Sequence, residues 1–460
     1  MKKFIILFLT IYFLIGQTVY SKSLISKDVT KEYMNMSFWD KFQDPVLSAH
    51  LSTIYEHNPD IKIASEKVKQ NENIVKISFA NELPQISFDG YLGRIFSGSE
   101  QRFGELVIPD YKQSHFMLPL TMSYELDLWG ANRQKTKSYK KQLEMMLQDE
   151  RAFYISLTSS FAIDYYNLIK IDKLIEIQKQ LISIQTEIFE NTKLSFQNGV
   201  ATTQDIIAEE KALTYLKEEL NNLEEKQEML INQINIYLAD RNFGKVARSD
   251  FENVYLPDCI PEKIDSSCLS KRPDIIKAQK KLEKITYDIK VARRDFLPKF
   301  VILGTAGFNA YQFRNIFGAH TGLADIGVAP HLDIFDGGRK LNILRYQKHS
   351  YNIAQKEYEK AVLTSIQETN DSLFSLKNTN KNYNIVNARK NLCIKDCELT
   401  QKKELFGIAN KIDVLFDEEK LLLLEKEEVS SKINCIIATI NLYKALGGVD
   451  ISVCTNNQCL

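Results

Sequence analysis

Residues 115–134 read HFMLPLTMSYELDLWGANRQ. From Phe116 to Leu128 the apolar Phe116, Leu118, Leu120, Met122, Tyr124, Leu126 and Leu128 alternate with Met117, Pro119, Thr121, Ser123, Glu125 and Asp127. Successive side chains of a strand point to opposite faces, so this stretch predicts a long strand with one apolar and one mostly polar or small face. The period then changes. From Ala131 to Gln197 there is neither Pro nor Gly, and Leu147, Tyr154, Phe161, Leu168, Ile175, Ile182, Phe189 and Phe196 recur every seventh residue beside a parallel stripe of Leu174, Leu181 and Ile188. A stripe sustained that long demands supercoiling against neighbouring helices. Those 67 residues, at about 1.5 Å each, make a helix of about 100 Å, far longer than a globular core needs.

The junction between strand and helix is written twice. YELDLWGANRQ at 124–134 returns as HLDIFDGGRK at 331–340, with Asp127 and Asp333, and likewise Arg133 and Arg339, 206 residues apart. Other landmarks repeat in the same order. NPDI at 58–61 returns as RPDI at 272–275; Pro84 and Pro298 each follow, 25 residues after Pro59 and Pro273. Gly199 and Asp205 are six apart, as are Gly407 and Asp413. The pattern predicts an internal duplication. The first unit, 22–255, holds strands at about 85–97 and 114–128 and long helices at about 131–197 and 202–238. The second, 256–450, holds strands at about 299–312 and 323–335 and helices at about 339–406 and 412–446, ahead of a polar tail at 451–460. Gly199 and Gly407 are the turns where each helix pair reverses. Asp127, Trp129, Gly130 and Arg133, with Asp333, Asp336, Gly337, Gly338 and Arg339, form a strand-to-helix hinge rather than a chemical site. Trp129 and Phe335 stand where an interfacial aromatic belt belongs.

The chain opens MKKFIILFLTIYFLIGQTVYSKS, with two Lys before an apolar run and small residues near Ser21, which predicts a cleaved signal peptide at 1–21 and export. No Cys precedes Cys259, so no lipidation Cys follows the signal. Beyond it no apolar run reaches 18 residues, so a membrane crossing would need strands closed into a barrel. Lys+Arg and Asp+Glu both number 59, and loss of Lys2 and Lys3 leaves about −2, without the basic excess of a nucleic-acid binder. The seven Cys are an odd count. Cys259 and Cys268, and Cys454 and Cys459, flank candidate loops, while Cys393 and Cys397 fall one helical turn apart. No Cys has metal-site spacing with His, and there is no Gly-rich phosphate loop or nucleophile motif. Neither an enzyme nor a cofactor is indicated.

With these elements in place, the sequence resembles the TolC family of outer-membrane efflux channels, closest to the nodulation-type branch that serves resistance-nodulation-division pumps. The residues that carry this are WDKFQDPVLSAHLSTIYEHNPDI (39–61), SYELDLWGANR, KRPDI, IFDGGR and LYKALGG (442–448), spread in family order from about residue 30 to 450. The resemblance implies a mixed α and β membrane protein. A homotrimer would build one twelve-stranded barrel from four strands per protomer, continuous with a hollow helical tunnel through the periplasm. It implies a periplasmic adaptor and an inner-membrane pump as partners, and a lipid bilayer around the barrel. It also implies an acidic aperture at the helix tips, for which Asp413 matches a ring-forming Asp and Asp205 is its counterpart. A plainer reading makes each Asp the N-cap of a helix in a solvated turn. The family gate often carries a Tyr, an Arg and a second Asp where this chain has Glu404, Ala409 and Phe416. Asp417 could substitute for that Asp, or Phe416 could form an apolar plug.

Two other readings stay open. A coiled-coil periplasmic adaptor shares the export signal and the heptads but lacks paired strands before each long helix. A channel for type I protein secretion differs only in its client. The nodulation-type motifs favour small molecules, drugs or metal ions as cargo.

Overall fold

Side-chain caps and proline set the first helix starts. Asp44 accepts from the N–H groups of Val46 (3.0 Å) and Leu47 (3.1 Å), and Pro45 opens helix α1, Pro45–His57. Asn58 repeats the device, accepting from the N–H of Asp60 at 2.8 Å, and Pro59 opens α2, Pro59–Ala80. The computed structural model describes residues 35–97, 101–103, 106–108, 111–256, 261, 263–318 and 320–451. The expected signal peptide at 1–21 and the tail beyond Ile451 lie outside them.

After α2 come strands β1 (Gln85–Phe88) and β2 (Tyr91–Ser97), a short hairpin of β3 (Gln101–Phe103) with β4 (Leu106–Ile108), and β5 (Tyr111–Leu126). Helix α3 (Ala131–Gln197) and α4 (Thr203–Leu238) complete the first half. The second half brings α5 (Pro273–Arg294), β6 (Lys299–Ala310), β7 (Gly322–His331), α6 (Arg339–Leu405) and α7 (Lys411–Ala445). Among the described residues no helix is long and apolar enough to cross a membrane.

The sheet is antiparallel, in the order β1–β5–β6–β7, and β2 continues β1 along β5 in the same register. Residues directly opposite one another share a face. Leu118, Leu120, Met122, Tyr124 and Leu126 of β5 oppose Phe308, Ala306, Gly304, Ile302 and Phe300 of β6, and these oppose Gly322, Ala324, Ile326, Val328 and Pro330 of β7. With Ile86 and Phe88 opposite Met122 and Leu120, one face is apolar across its whole width. The other face carries Ser87, His115, Thr121, Ser123, Glu125, Thr305, Asn309 and Asp325. Its polar groups bond along the face: Ser87 to Thr121 (2.7 Å), Thr121 to Asp89 (2.9 Å) and His115 to Asn309 (2.9 Å).

The strand expected over 85–97 is interrupted at Asp89 and Gly90. The register sets Asp89 opposite Pro119; Asp89 donates to the Pro119 carbonyl at 3.3 Å, and Pro119 has no N–H to return. The strands expected to reach Leu128 and Phe335 stop at Leu126 and His331, because the aspartates beyond them turn to the helices. The loop expected between the first two strands contains β3 and β4.

The chain divides into two compact units, and each draws on both halves of the sequence. One comprises Lys67–Leu147 and Lys277–Lys360 and holds the sheet. There Lys141 pairs with Glu144 (2.9 Å) and Glu283 (2.8 Å), tying α3 to α5. The other comprises the described parts of Met1–Glu66, Gln148–Ile276 and Ala361–Leu460. Its core stacks Phe38 on Tyr443 with ring centroids 3.8 Å apart and buries Trp39, Phe42, Phe161, Tyr165 and Tyr166. Gly447, at φ +68°, lies so close to Arg272 and Pro273 that an added Cβ would meet both at 2.9 Å. Along α3 the heptad stripe is buried at Tyr154, Phe161, Leu168 and Ile175, but Phe196 is 43% exposed. Leu181 and Ile188 of the parallel stripe take over as the buried seam. An α-helix drifts by about 20° per heptad, which is enough to hand the seam from one row to the next.

Candidate functional site

At the first junction the backbone leaves β5 and turns through Gly130, at φ +75°, into α3. Asp127 accepts from the N–H groups of Asn132 (3.2 Å) and Arg133 (3.0 Å), two of the unpaired donors of a helix start. The same carboxylate takes the Arg133 guanidinium at 3.1 Å, and a second guanidinium nitrogen donates to the Asp127 carbonyl at 2.9 Å. Trp129 is partly exposed and donates its indole N–H to the Pro298 carbonyl at 2.7 Å. That bond pins the junction to the residue just before β6.

At the second junction the roles are divided. Asp336 accepts from Gly338 (3.0 Å) and Lys340 (2.9 Å), and these N–H groups hold its carboxyl below the usual range. Gly337 and Gly338 both have positive φ, +64° and +79°. Asp333 pairs with Lys340 at 2.9 Å and only distantly, at 3.9 Å, with Arg339. Lys340, and then His331, lower its pKa. Ile334 and Phe335 are almost fully exposed. Sequence spacing aligns Asp333 with Asp127, while Asp336-Gly337-Gly338 suits a sharp turn into a helix start, and it is Asp336 that accepts there.

The two helix tips use one solution. Gly199 and Gly407 stand at φ +74° and +72° and reverse the chain. Asp205 and Asp413 are not the N-caps of the following helices. The caps are Thr202 and Asn410, three residues earlier, and each pair closes a capping box. Thr202 Oγ1 and Asn410 Oδ1 accept from the N–H of Asp205 (3.3 Å) and Asp413 (2.8 Å). Each Asp accepts in return from the cap's N–H, at 2.7 and 2.9 Å. Hydrogen bonds from Thr202 lower the pKa of Asp205. The signal for both boxes, Thr or Asn three before Asp, was present in the sequence.

Around the second tip Leu405, Phe406 and Ile408 are 85%, 80% and 75% exposed, as is Val200 (82%) at the first. Phe416 is also exposed, at 39%. Asp417 is engaged within its own hairpin, accepting from Thr400 at 2.7 Å and pairing with Lys420 at 2.8 Å, and both partners lower its pKa. Lys411 reaches Glu187 of α3 at 3.8 Å, so the second tip meets the first helix pair. Further along, burial and the neighbouring charge of Glu209 raise the pKa of Glu419. Among the described residues no group of three or more His, Cys, Asp or Glu could hold a metal ion.

A family model described as outer membrane efflux protein matches residues 50–240 and 266–448. The probable efflux pump outer membrane protein TtgC of Pseudomonas putida is 25% identical over 419 residues, 88% of this chain and 84% of the relative. The pyoverdine export outer membrane protein OpmQ of Pseudomonas aeruginosa is 22% identical over 420 residues, covering 89% and 87%. The solved CmeC outer membrane channel of Campylobacter jejuni superposes with a TM-score of 0.79 at 21% identity, over 93% of this chain and 89% of its own.

Proposed function

The chain belongs to the outer membrane efflux protein family, a family of channels and not of enzymes, and from that premise we propose that it forms the passive exit duct of a tripartite efflux system. The observation that carries this is the sheet. It has one apolar face, one polar face and, among the described residues, two strand edges without a partner, at β1/β2 and at β7. Such edges do not persist in lipid, where every backbone polar group needs a partner. Copies from two sister subunits satisfy them: four strand positions from each of three protomers give twelve, an even antiparallel barrel. The apolar face then meets lipid, and Glu125, Thr121, Thr305 and Asn309 line water.

The long helices, stitched where Lys426 of α7 bonds Gln178 of α3 (2.9 Å) and Glu219 of α4 (2.7 Å), are the tunnel wall in this reading. Gly199 and Gly407 mark its periplasmic tips. Three copies of Asp413, with Asp205 behind them, give a negative constriction that favours cations, and Phe416 adds an apolar collar. Asp417, held by Thr400 and Lys420, braces the hairpin. The hinge residues Asp127, Trp129, Gly130, Arg133, Asp333, Asp336, Gly337, Gly338 and Arg339 fix where barrel passes into tunnel. A periplasmic adaptor opens the tip. An inner-membrane pump of the resistance-nodulation-division type supplies energy and chooses the cargo, which is small molecules or metal ions.

Cross-linking and planar-bilayer recording of the purified full chain test this. Trimers with stepwise, cation-preferring conductance are expected; a monomer that never conducts overturns the proposal. Asp413→Asn keeps an oxygen to accept from Asn410 but removes the charge. It should raise conductance or weaken block by divalent cations without loss of thermal stability. Unchanged conductance and block would leave Asp413 only the partner of Asn410 in its capping box.

A further inference from the structure

Cys393 and Cys397 lie one turn apart on α6, fourteen and ten residues before the Gly407 turn, and neither is disulfide-bonded. Cys397 is buried and Cys393 half-buried. Cys397 Sγ donates to the Asp417 carbonyl of α7 at 3.2 Å. The carboxylates of Asp417 and Asp396 lie close enough to act electrostatically on Cys397. Cys268, by contrast, is disulfide-bonded, which fits an oxidising compartment.

The spacing explains why the pair stays open. Residues four apart on a helix have Cβ atoms about 5–6 Å apart, whereas a disulfide needs about 3.5–4.5 Å. Two metal–sulfur bonds of about 2.3 Å laid end to end span about 4.6 Å, a gap that these thiols can bridge without unwinding the helix. Among the described residues no cluster of three or more His, Cys, Asp or Glu is available, so a tetrahedral ion lacks ligands. We propose that Cys393 and Cys397 form a two-coordinate site for one soft d10 cation, Cu(I), Ag(I) or Hg(II). Thiolates select such ions over harder ones. On binding, two metal–sulfur bonds form and the two thiol protons leave to solvent. Cys397 then stops donating to Asp417, so the ion exchanges a link between α6 and α7 for one within α6.

The test uses the purified full chain in detergent, titrated with Cu(I) against a chromogenic chelator. The expected result is one Cu(I) lost from the stoichiometry in Cys393→Ser/Cys397→Ser, with each single variant binding more weakly because one of two thiolates is gone, and no change in Cys435→Ser. In the wild-type protein Ag(I) should slow maleimide labelling of Cys393 under native conditions, a readout that does not depend on any variant folding. Equal Cu(I) retention by wild type and double variant, or unslowed labelling of Cys393, overturns the site. The site belongs to the α6/α7 hairpin and its test is independent of channel conductance.

Discussion

The two strand-to-helix junctions keep their landmark residues 206 positions apart, yet different aspartates cap their helices. At the first, Asp127 holds the N–H groups of α3 and the Arg133 guanidinium together. At the second, Asp336 takes the N–H groups of Gly338, just before α6, and of Lys340 in its first turn, and Asp333 pairs with the ammonium of Lys340. A helix offers unpaired N–H groups only in its first turn. Whichever carboxylate the incoming backbone delivers there becomes the cap. Two consecutive glycines at positive φ bring Asp336 into that place, whereas the single Gly130 serves Asp127. The tips teach the opposite lesson. Thr202 and Asn410 differ chemically but stand at the same offset from Asp, so both close the same box. Position relative to the helix start, more than residue identity, decides the role.

The comparison can be broken most directly at Asp127. Asp127→Ala removes a cap and an ion pair at once and should cost about 2 kcal/mol, read as a lower melting temperature by circular dichroism. Asp336→Ala, which removes a cap alone, should lower it less. Asp333→Ala strips an exposed ion pair and should shift it least. Equal losses at Asp127 and Asp333 would show that role follows sequence spacing after all.

Next in size are the tips. Gly199→Ala and Gly407→Ala place a methyl where no heavy atom lies within 4 Å, so only the positive φ opposes it. Each should cost about 1 kcal/mol, and the two costs should match. A markedly larger loss at one tip in thermal melts would mean that this tip carries a constraint the other lacks.

The smallest effect concerns pH and sharpens the contrast between capped and buried carboxylates. Because the fold raises the pKa of Glu419, the folded state binds its proton more readily than the unfolded chain does. Its contribution is therefore full below the unfolded value of about 4.3 and is lost as pH rises through the folded value. Glu419→Gln should raise the neutral-pH melting temperature by about 1 °C and flatten its dependence above pH ~4.3. A variant that melts lower at neutral pH, or that keeps the wild-type slope, would contradict this.

Much of the fold was legible because periodicity is a local property. Alternation from Phe116 to Leu126 specifies a strand whatever it packs on, and the run without Pro or Gly from Ala131 to Gln197 specifies an unbroken helix. The tip glycines and junction aspartates were legible as landmarks for the same reason.

Tertiary structure decided what depends on a partner. Pro119 interrupts not its own strand but the one across from it, because the missing N–H is felt by Asp89. Which of two heptad rows is buried near the tip follows from the drift of α3 against its neighbours, and no count of residues states that. Asp336-Gly337-Gly338 already read as a sharp turn into a helix start, and Asp336 accepts there; that Asp333 is left to pair with Lys340 was settled by where the backbone places it. Residue order alone specifies the periods, the breaks and the places where the chain must turn. Only the assembled structure decided which donor meets which acceptor, because a hydrogen bond is made or lost over distances that sequence spacing does not resolve.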